Sequence, residues 1–478
     1  MILMPDPDAE LLARRHQILA QLCKILHADP AALICDDAAL VAYDTDALTA
    51  YRCKPLAVVL PKNNAQVSKV LRFCNQEGIK VIARGSGTSL AGGALPSMDS
   101  ILLSLSRMNR VLNVDFENRT AFVQAGVTNI AISRAAEEQG FFYAPDPSSQ
   151  IACSIAGNVA TNAGGPHCLK YGVTANNLLG LTFVTIEGDI LSIGGEFLDP
   201  DGYDLLGIIT GSEGMLGVVT EVLVRILPKA PDARPMLLGF HSEQEAGACV
   251  AAIIGAGVLP VAIEFMDKAA IMACETFAKA GYPLDAKALL IIEVEGEEAE
   301  IEEAFAIIYK IAQGYNPLSL RVSRSTAESE AIWRGRKSAF GAMGQLAPDY
   351  LCMDGTIPTG QLPYVLAEIE KIGQRYGFPI ANIFHAGDGN MHPLIMYDAK
   401  IPGAFAKVER AGAEILELCV KVGGCLSGEH GIGIEKRELM PLMFTPKDLE
   451  QQRRVKDAFD PKWLLNPAKV FPLECKTL

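Results

Sequence analysis

Residues Ala83–Pro96 read ARGSGTSLAGGALP and grow directly out of the apolar run Val81–Ala83. Within this stretch Gly85, Gly87, Gly92 and Gly93 stand among Ser86, Thr88 and Ser89. Glycine removes the Cβ that blocks close approach and permits positive φ, while hydroxyls add donors. A loop of this composition can therefore wrap a pyrophosphate with its backbone N–H groups. A tight glycine turn is the plainer alternative, but four glycines and three hydroxyls so close together favour the phosphate reading.

The flanks make the loop part of a β–α–β unit. A strand is expected over Leu56–Leu60, then a helix over Ala65–Gln76 whose buried stripe is Val67, Val70, Leu71 and Cys74. Gly78 stops the helix and the strand Lys80–Arg84 leads into the loop. The dinucleotide fingerprint G-x-G-x-x-G opens a helix; here the third residue after Gly87 is Leu90, and beyond Gly93 the chain passes Pro96 into the strand-like Ile101–Leu105. A Rossmann nucleotide site does not fit.

Upstream, residues 10–28 carry Leu11, Leu12, Ile18, Leu19, Leu22 and Ile25 at helical steps and predict a helix or helical pair. Downstream come a strand over Thr120–Gln124, a helix over Thr128–Gln139 closed by Gly140, and a stiff turn at Ala144–Pro147. Cys153–Gly172, CSIAGNVATNAGGPHCLKYG, is so rich in small residues that it predicts a long loop, too small-chained to build core and suited to lining a flat ligand. A hairpin is expected around Glu187–Asp189 and a strand over Met215–Leu227, after which Pro228, Pro231 and Pro235 mark a domain boundary. The pattern then alternates, with helices over Glu243–Ile254 and Ala299–Gln313 and strands over Val261–Phe265 and Ala288–Glu295, which predicts a second α/β domain with an antiparallel sheet.

Bulk properties exclude several functions. The 478 residues suffice for two or three domains with a large core, and the charge of −14 without a sustained basic run removes the counterion release that drives nucleic-acid binding. Twelve scattered cysteines contain no C-x-x-C pair, which argues against a disulfide framework and against a cysteine-ligated iron–sulfur cluster in this chain. Acidic residues at Asp6, Asp8 and Glu10 stand where a signal peptide needs a basic start, and no run of 18 apolar residues occurs. A cytoplasmic protein is expected, docked to a membrane complex only through a partner.

Two further stretches carry chemistry. Ile383–Tyr397, IFHAGDGNMHPLIMY, sets His385 and His392 on opposite legs of a turn, and Leu426–Gly433, LSGEHGIG, sets Glu429 and His430 on a glycine-flexed backbone. Two histidines and a carboxylate suit a divalent metal, Zn²⁺, Mn²⁺ or Fe²⁺. In Ile332–Phe340, IWRGRKSAF, Arg334, Arg336 and Lys337 follow an aromatic residue; one arginine turned inward would hold a carboxylate, and a solvated basic face is the alternative.

With these segments located, the chain resembles the vanillyl-alcohol-oxidase type of FAD flavoproteins, in the branch of D-2-hydroxy-acid dehydrogenases that includes the flavin subunits of bacterial glycolate oxidases. The resemblance spans nearly the whole chain through VVLPK, RGSGTSLAGGALP, APDPSSQIACSIAGNVATNAGG, HCLKYG, GSEGMLGV, PDYLCMDGTIP, FHAGDGNMHPLI, SGEHGIG and LLNP. It implies an α+β fold: a helical segment over 1–50, a two-part FAD-binding domain over 51–229, an α+β cap with an antiparallel sheet over 230–458, and a tail over 459–478 that packs back on the FAD domain. It implies that Arg84, Gly85, Ser86, Gly87, Thr88, Ser89, Gly92 and Gly93 grip the pyrophosphate of non-covalent FAD. Pro145, Asp146, Ser154, Gly157, Asn158 and Thr161 would surround ribityl and flavin, with Gly211 and Val219 toward the adenine.

The same resemblance carries metal ligation onto His385, His392 and Glu429, the base onto His430 and the carboxylate clamp onto Arg336. The implied reaction oxidises a 2-hydroxy acid to the 2-oxo acid with hydride transfer to the flavin. Phe340 and Cys352 stand where relatives with longer substrates are implied to have polar groups, which favours glycolate or D-lactate. Electrons would leave through companion subunits, one an iron–sulfur protein, toward a quinone pool. A stand-alone D-lactate dehydrogenase, a metal-dependent hydrolase and a non-catalytic flavin subunit are the competing readings.

Overall fold

The structure is a computed structural model that describes residues 4–197 and 202–473. Residues 1–3 of the N-terminal segment and 474–478 of the tail lie outside the described residues. The chain forms two compact units, one from described residues of 4–164, 173–229 and 429–473, the other from 165–172 and 230–428. These limits depart from the sequence-based ones at two places. The short piece 165–172 groups with the later unit, and everything from Glu429 onward groups with the earlier one.

The unit that contains the glycine loop has two main sheets. The first joins β1 (Leu33–Ile34), β2 (Ala57–Val59), β3 (Lys80–Arg84) and β4 (Ser100–Ser104) in the order β1-β2-β4-β3, with β4 parallel to both β2 and β3. Every residue of β4, SILLS, is buried, as befits a strand covered on both faces. The crossover between β2 and β3 is the helix Asn64–Glu77. The Asn63 side chain accepts the N–H of Gln66 at its start, Gly78 at φ +68° ends it, and Val67, Val70, Leu71 and Cys74 are fully buried. The N-terminal helices Ala9–Ala13 and Arg15–Ile25 add Leu11, Ile18 and Leu22 to the same core.

The second sheet is antiparallel. It comprises β5 (Val111–Asp115), β6 (Thr120–Gln124), β8 (Leu178–Val184), β9 (Ile190–Gly194) and β10 (Val218–Arg225) in the order β5-β6-β10-β8-β9. The short β7 (Phe141–Phe142) pairs with β11 (Leu227–Pro228) beside it. The tail returns to the first sheet, where Val81 donates its N–H to Leu464 and accepts that of Asn466.

The expectation of a structureless loop over Cys153–Gly172 is corrected. The stretch holds the helices Ile155–Thr161 and Cys168–Tyr171, and Ile155 and Val159 are fully buried in a core with Val123, Ile132 and Phe183. Two apolar residues four apart suffice to give one turn of helix a buried face, even when every neighbour is small.

The other unit is built on a nine-stranded antiparallel sheet. Its strands are β12 (Asp232–Phe240), β13 (Ala262–Asp267), β14 (Ala288–Gly296), β15 (Ser319–Val322), β16 (Asp349–Cys352), β17 (Gly355–Thr356), β18 (Ile380–His385), β19 (Asn390–Met391) and β20 (Pro393–Tyr397). The main path runs β15-β12-β14-β13-β18-β19-β17, while β20 bridges β16 to β18. Pro235, expected to mark a boundary, lies inside β12 opposite Glu293. The helix Lys268–Ala278, which apolar periodicity alone did not reveal, is capped by Asp267 on the N–H of Ala270. Phe265 and Phe384 stack across the central strands with ring centroids 4.7 Å apart.

Candidate active site

The glycine loop leaves β3 at Arg84, whose guanidinium is held by the carbonyl of Thr45 at 2.6 Å and lies over the Tyr43 ring. Gly87, at φ +72°, lies so close beneath that guanidinium that a Cβ would collide with it. Gly85 meets Ser154 and Gly157 at the start of the helix Ile155–Thr161. Among the described residues Ser154 Oγ is buried without a hydrogen-bond partner. Asn158, in the same helix, accepts from Asn129 Nδ2 at 3.1 Å, and Asn129 also donates to the carbonyl of Pro145. Asp146 is buried, and Thr161 reaches the carbonyl of Gly157. Gly211 donates its N–H to Val159. Gly85, Ser154, Gly157, Asn158 and Gly211 thus converge on one helix and its flanks, while the Arg84 side chain turns to Thr45 and Tyr43. Val219, on β10, packs against the apolar cores, one of which includes Ile155 and Val159 of that helix.

The loop is fixed from both sides within its unit. Asp46 accepts the N–H groups of Leu48 and Ala94, and Ala47 donates to the carbonyl of Ser89. Opposite, Ala91 O accepts from Ile434 and Glu435, and Ser89 Oγ donates to the carbonyl of His430. Gly433 has φ +51°, and a Cβ there would overlap Ala91 O. Glu213 and Asn466 complete the clamp. Glu213 accepts from Ile432 and Gly433, while Asn466 Nδ2 donates to the carbonyls of Gly93 and Glu213. Burial pushes the Glu213 carboxyl up, opposed by those two N–H groups, and burial draws Lys469, which donates to Asn466 Oδ1, down to about 8.

The histidine pair belongs to the sheet of the other unit. His385 closes β18, His392 immediately precedes β20, and the rings stand edge to face with centroids 5.2 Å apart. His385 Nδ1 donates to Glu264 Oε1 at 2.7 Å and His392 Nδ1 to the carbonyl of Met353 at 3.3 Å. An imidazole held this way coordinates through Nε2. Asp354, fully buried, accepts from Ser427 Oγ at 2.6 Å and from the N–H of Gly428 at 3.1 Å, which fixes the chain just before Glu429. Both imidazoles are buried. Two neighbouring imidazoles, each with Nδ1 held and Nε2 left for a ligand bond, fit a divalent transition metal that takes a carboxylate as a further ligand.

Arg336, on the helix Thr326–Lys337, points inward and is 3% exposed, whereas Arg334 and Lys337 are solvated. The basic-face alternative therefore holds for the outer two and fails for Arg336. Its Nε and Nη2 donate to Glu264 Oε2 at 2.7 and 2.6 Å. Burial alone would raise the Glu264 carboxyl, but the charges of Arg336 and His385 and their hydrogen bonds hold it at about 2. Sequence reasoning missed Glu264, Asp354 and Glu213. Each had a signal: a lone carboxylate inside the apolar AIEFM, and acids within two of the quoted motifs, PDYLCMDGTIP and GSEGMLGV.

Comparison with known proteins decides the family. The model of FAD linked oxidases, C-terminal domain, matches residues 229–470, and an FAD binding domain matches residues 55–194. The glycolate oxidase subunit GlcD of Escherichia coli K12 is 49% identical over 471 residues, covering 98% of this chain and 92% of that protein. The chain belongs to the FAD-linked oxidases. This FAD-linked oxidase is also 34% identical to a D-lactate dehydrogenase of Archaeoglobus fulgidus, over 86% of this chain and 90% of that one. In fold it matches p-cresol methylhydroxylase with a TM-score of 0.83 at 16% identity, covering 98% of both chains. The architecture is the one that the vanillyl-alcohol-oxidase resemblance implied, a two-part FAD-binding domain and an α+β domain with an antiparallel sheet.

The residues present fit the family's cofactor. The buried Ser154 Oγ and the Cβ-free surfaces of Gly85 and Gly157 lie against the strand-borne loop, which supplies donors to a diphosphate. Among the described residues of this FAD-linked oxidase, no helix is long and apolar enough to cross a membrane.

Proposed function

We propose that this FAD-linked oxidase oxidises a short 2-hydroxy acid, glycolate or D-lactate, to the 2-oxo acid with the help of a divalent metal. The observation that carries the reading is the buried pair His385 and His392, ring centroids 5.2 Å apart, each with Nδ1 held by a buried acceptor so that Nε2 is left for a ligand bond. The names of the relatives, a glycolate oxidase subunit and a D-lactate dehydrogenase, support the substrate class.

The residues divide the work by their chemistry. His385, His392 and Glu429 would hold the metal, which when bound supplies Lewis-acid polarisation of the 2-hydroxyl. His430 takes the hydroxyl proton as general base. Arg336 directs its guanidinium at the substrate carboxylate and fixes the orientation of the Cα–H. Arg84, Gly85, Ser86, Gly87, Thr88, Ser89, Gly92 and Gly93 hold the diphosphate of FAD non-covalently, and bound FAD supplies the two-electron acceptor. Pro145, Asp146, Ser154, Gly157, Asn158 and Thr161 would line the flavin, with Gly211 and Val219 toward the adenine.

The Escherichia coli relative is named a subunit. On that basis the electrons pass to companion subunits; that one of them is an iron–sulfur protein, docking this chain at the membrane from the cytoplasmic side, rests on the family resemblance alone. The hydrolase reading fails because the chain carries an FAD-binding domain. An anaerobic screen of FAD bleaching with D- and L-2-hydroxy acids tests the assignment. Bleaching by glycolate or D-lactate is expected, and a flavin left oxidised by the whole panel overturns it.

A further inference from the structure

Glu264 is a carboxylate at the centre of an antiparallel sheet with no exposed surface. A buried charge is costly unless it is paired and hydrogen-bonded. Its pairing here is divided between two groups of different kinds. Oε2 accepts Nε and Nη2 of Arg336, and Oε1 accepts Nδ1 of His385, the residue opposite it in the β13–β18 register. Directly opposed residues of neighbouring strands share a face, so the strand pairing itself delivers the imidazole to the carboxylate.

We propose that Glu264 is a positioning residue that locks Arg336 and His385 to one another, so that the substrate anchor and a metal ligand keep one fixed separation. This rests on the reading of His385 as a ligand and Arg336 as the anchor. An ion pair serving stability alone would need only the guanidinium. The second oxygen spent on His385 Nδ1 fixes the tautomer that coordinates through Nε2 and keeps that nitrogen basic. One carboxylate therefore sets both the ligand strength of His385 and the aim of Arg336.

The test measures divalent-metal affinity of the purified full chain by chelator-dye competition with Zn²⁺ and Mn²⁺, alongside KM and kcat, for wild type, Glu264→Gln, Glu264→Asp and His385→Ala. Gln presents a donor where a lone pair is needed, so E264Q is expected to bind metal about 10–100-fold more weakly and to raise KM for the hydroxy acid. E264D keeps the charge but cannot reach both partners, and is expected to fall between. Wild-type metal affinity in E264Q overturns the proposal; should E264Q fail to fold, wild-type affinity and KM in a folded E264D overturn it equally. Failure of the metal reading looks different. In that case wild type itself binds no metal, or His385→Ala binds it as wild type does, and the proposal falls with that reading.

Discussion

Glu213 accepts the backbone N–H of Gly433 at 2.8 Å, and its other oxygen takes that of Ile432 at 2.6 Å. A single carboxylate thus pins the strand of backbone that begins two residues after His430, and Asn466 ties the Glu213 carbonyl to that of Gly93 in the glycine loop. Glu213→Ala leaves both N–H groups without their acceptor, which should cost about 2–4 kcal/mol. Glu213→Gln, with one carbonyl oxygen kept, should cost about half as much. Denaturant unfolding of the FAD-loaded protein checks this, as a lowered midpoint with an unchanged slope. Equal midpoints for Glu213→Ala and wild type would contradict it.

The second prediction concerns pH. Glu243, at the start of the helix Glu243–Gly255, has its carboxyl pushed from 4.5 to about 8 by burial and by the negative charges of Asp267 and Glu370. Between those values the unfolded chain has released the proton that the folded chain still binds. Raising the pH through this window therefore draws the equilibrium toward the unfolded state. Glu243→Gln removes the ionisation and should lose less stability than wild type between pH 5 and pH 8, with the two curves parallel below about pH 4. Thermal unfolding of both proteins at several pH values checks the sign.

Base and ligand should separate kinetically. His430→Ala should keep its flavin and its divalent metal but bleach about 10²–10⁴-fold more slowly with the hydroxy acid. His385→Ala should lose the metal as well as the rate. Stopped-flow absorbance under anaerobic conditions, with metal content measured on the same samples, separates the two. Bleaching of His430→Ala at the wild-type rate removes that residue from the base role.

Elements with strong periodicity are legible in the sequence. The β2–helix–β3 unit is readable because Val67, Val70, Leu71 and Cys74 form one stripe and Gly78 marks its end, whereas the Asn63 cap emerges only in the structure. The short helix Ile155–Thr161 is not readable, since glycine and alanine dilute an apolar face of only two large residues. Candidate ligands could be picked from glycine-rich motifs, but their carboxylate partners could not. Glu264 reaches Arg336 and His385 across 72 and 121 residues, His385 through the pairing of β13 with β18 and Arg336 from the helix Thr326–Lys337. Arg336 and its neighbours Arg334 and Lys337 look alike in sequence, and only the helix's orientation on the sheet separates the inward guanidinium from the solvated pair.

The most direct test of the account is the rate of anaerobic FAD reduction by glycolate and by D-lactate before and after removal of divalent metal with a chelator. The account predicts rapid bleaching in the metal-loaded protein, loss of at least about 10²-fold in rate on chelation, comparable to removing one strong electrostatic stabiliser, and recovery when Zn²⁺ or Mn²⁺ is returned. Bleaching at an unchanged rate in the metal-free protein, with its flavin content intact, would contradict it.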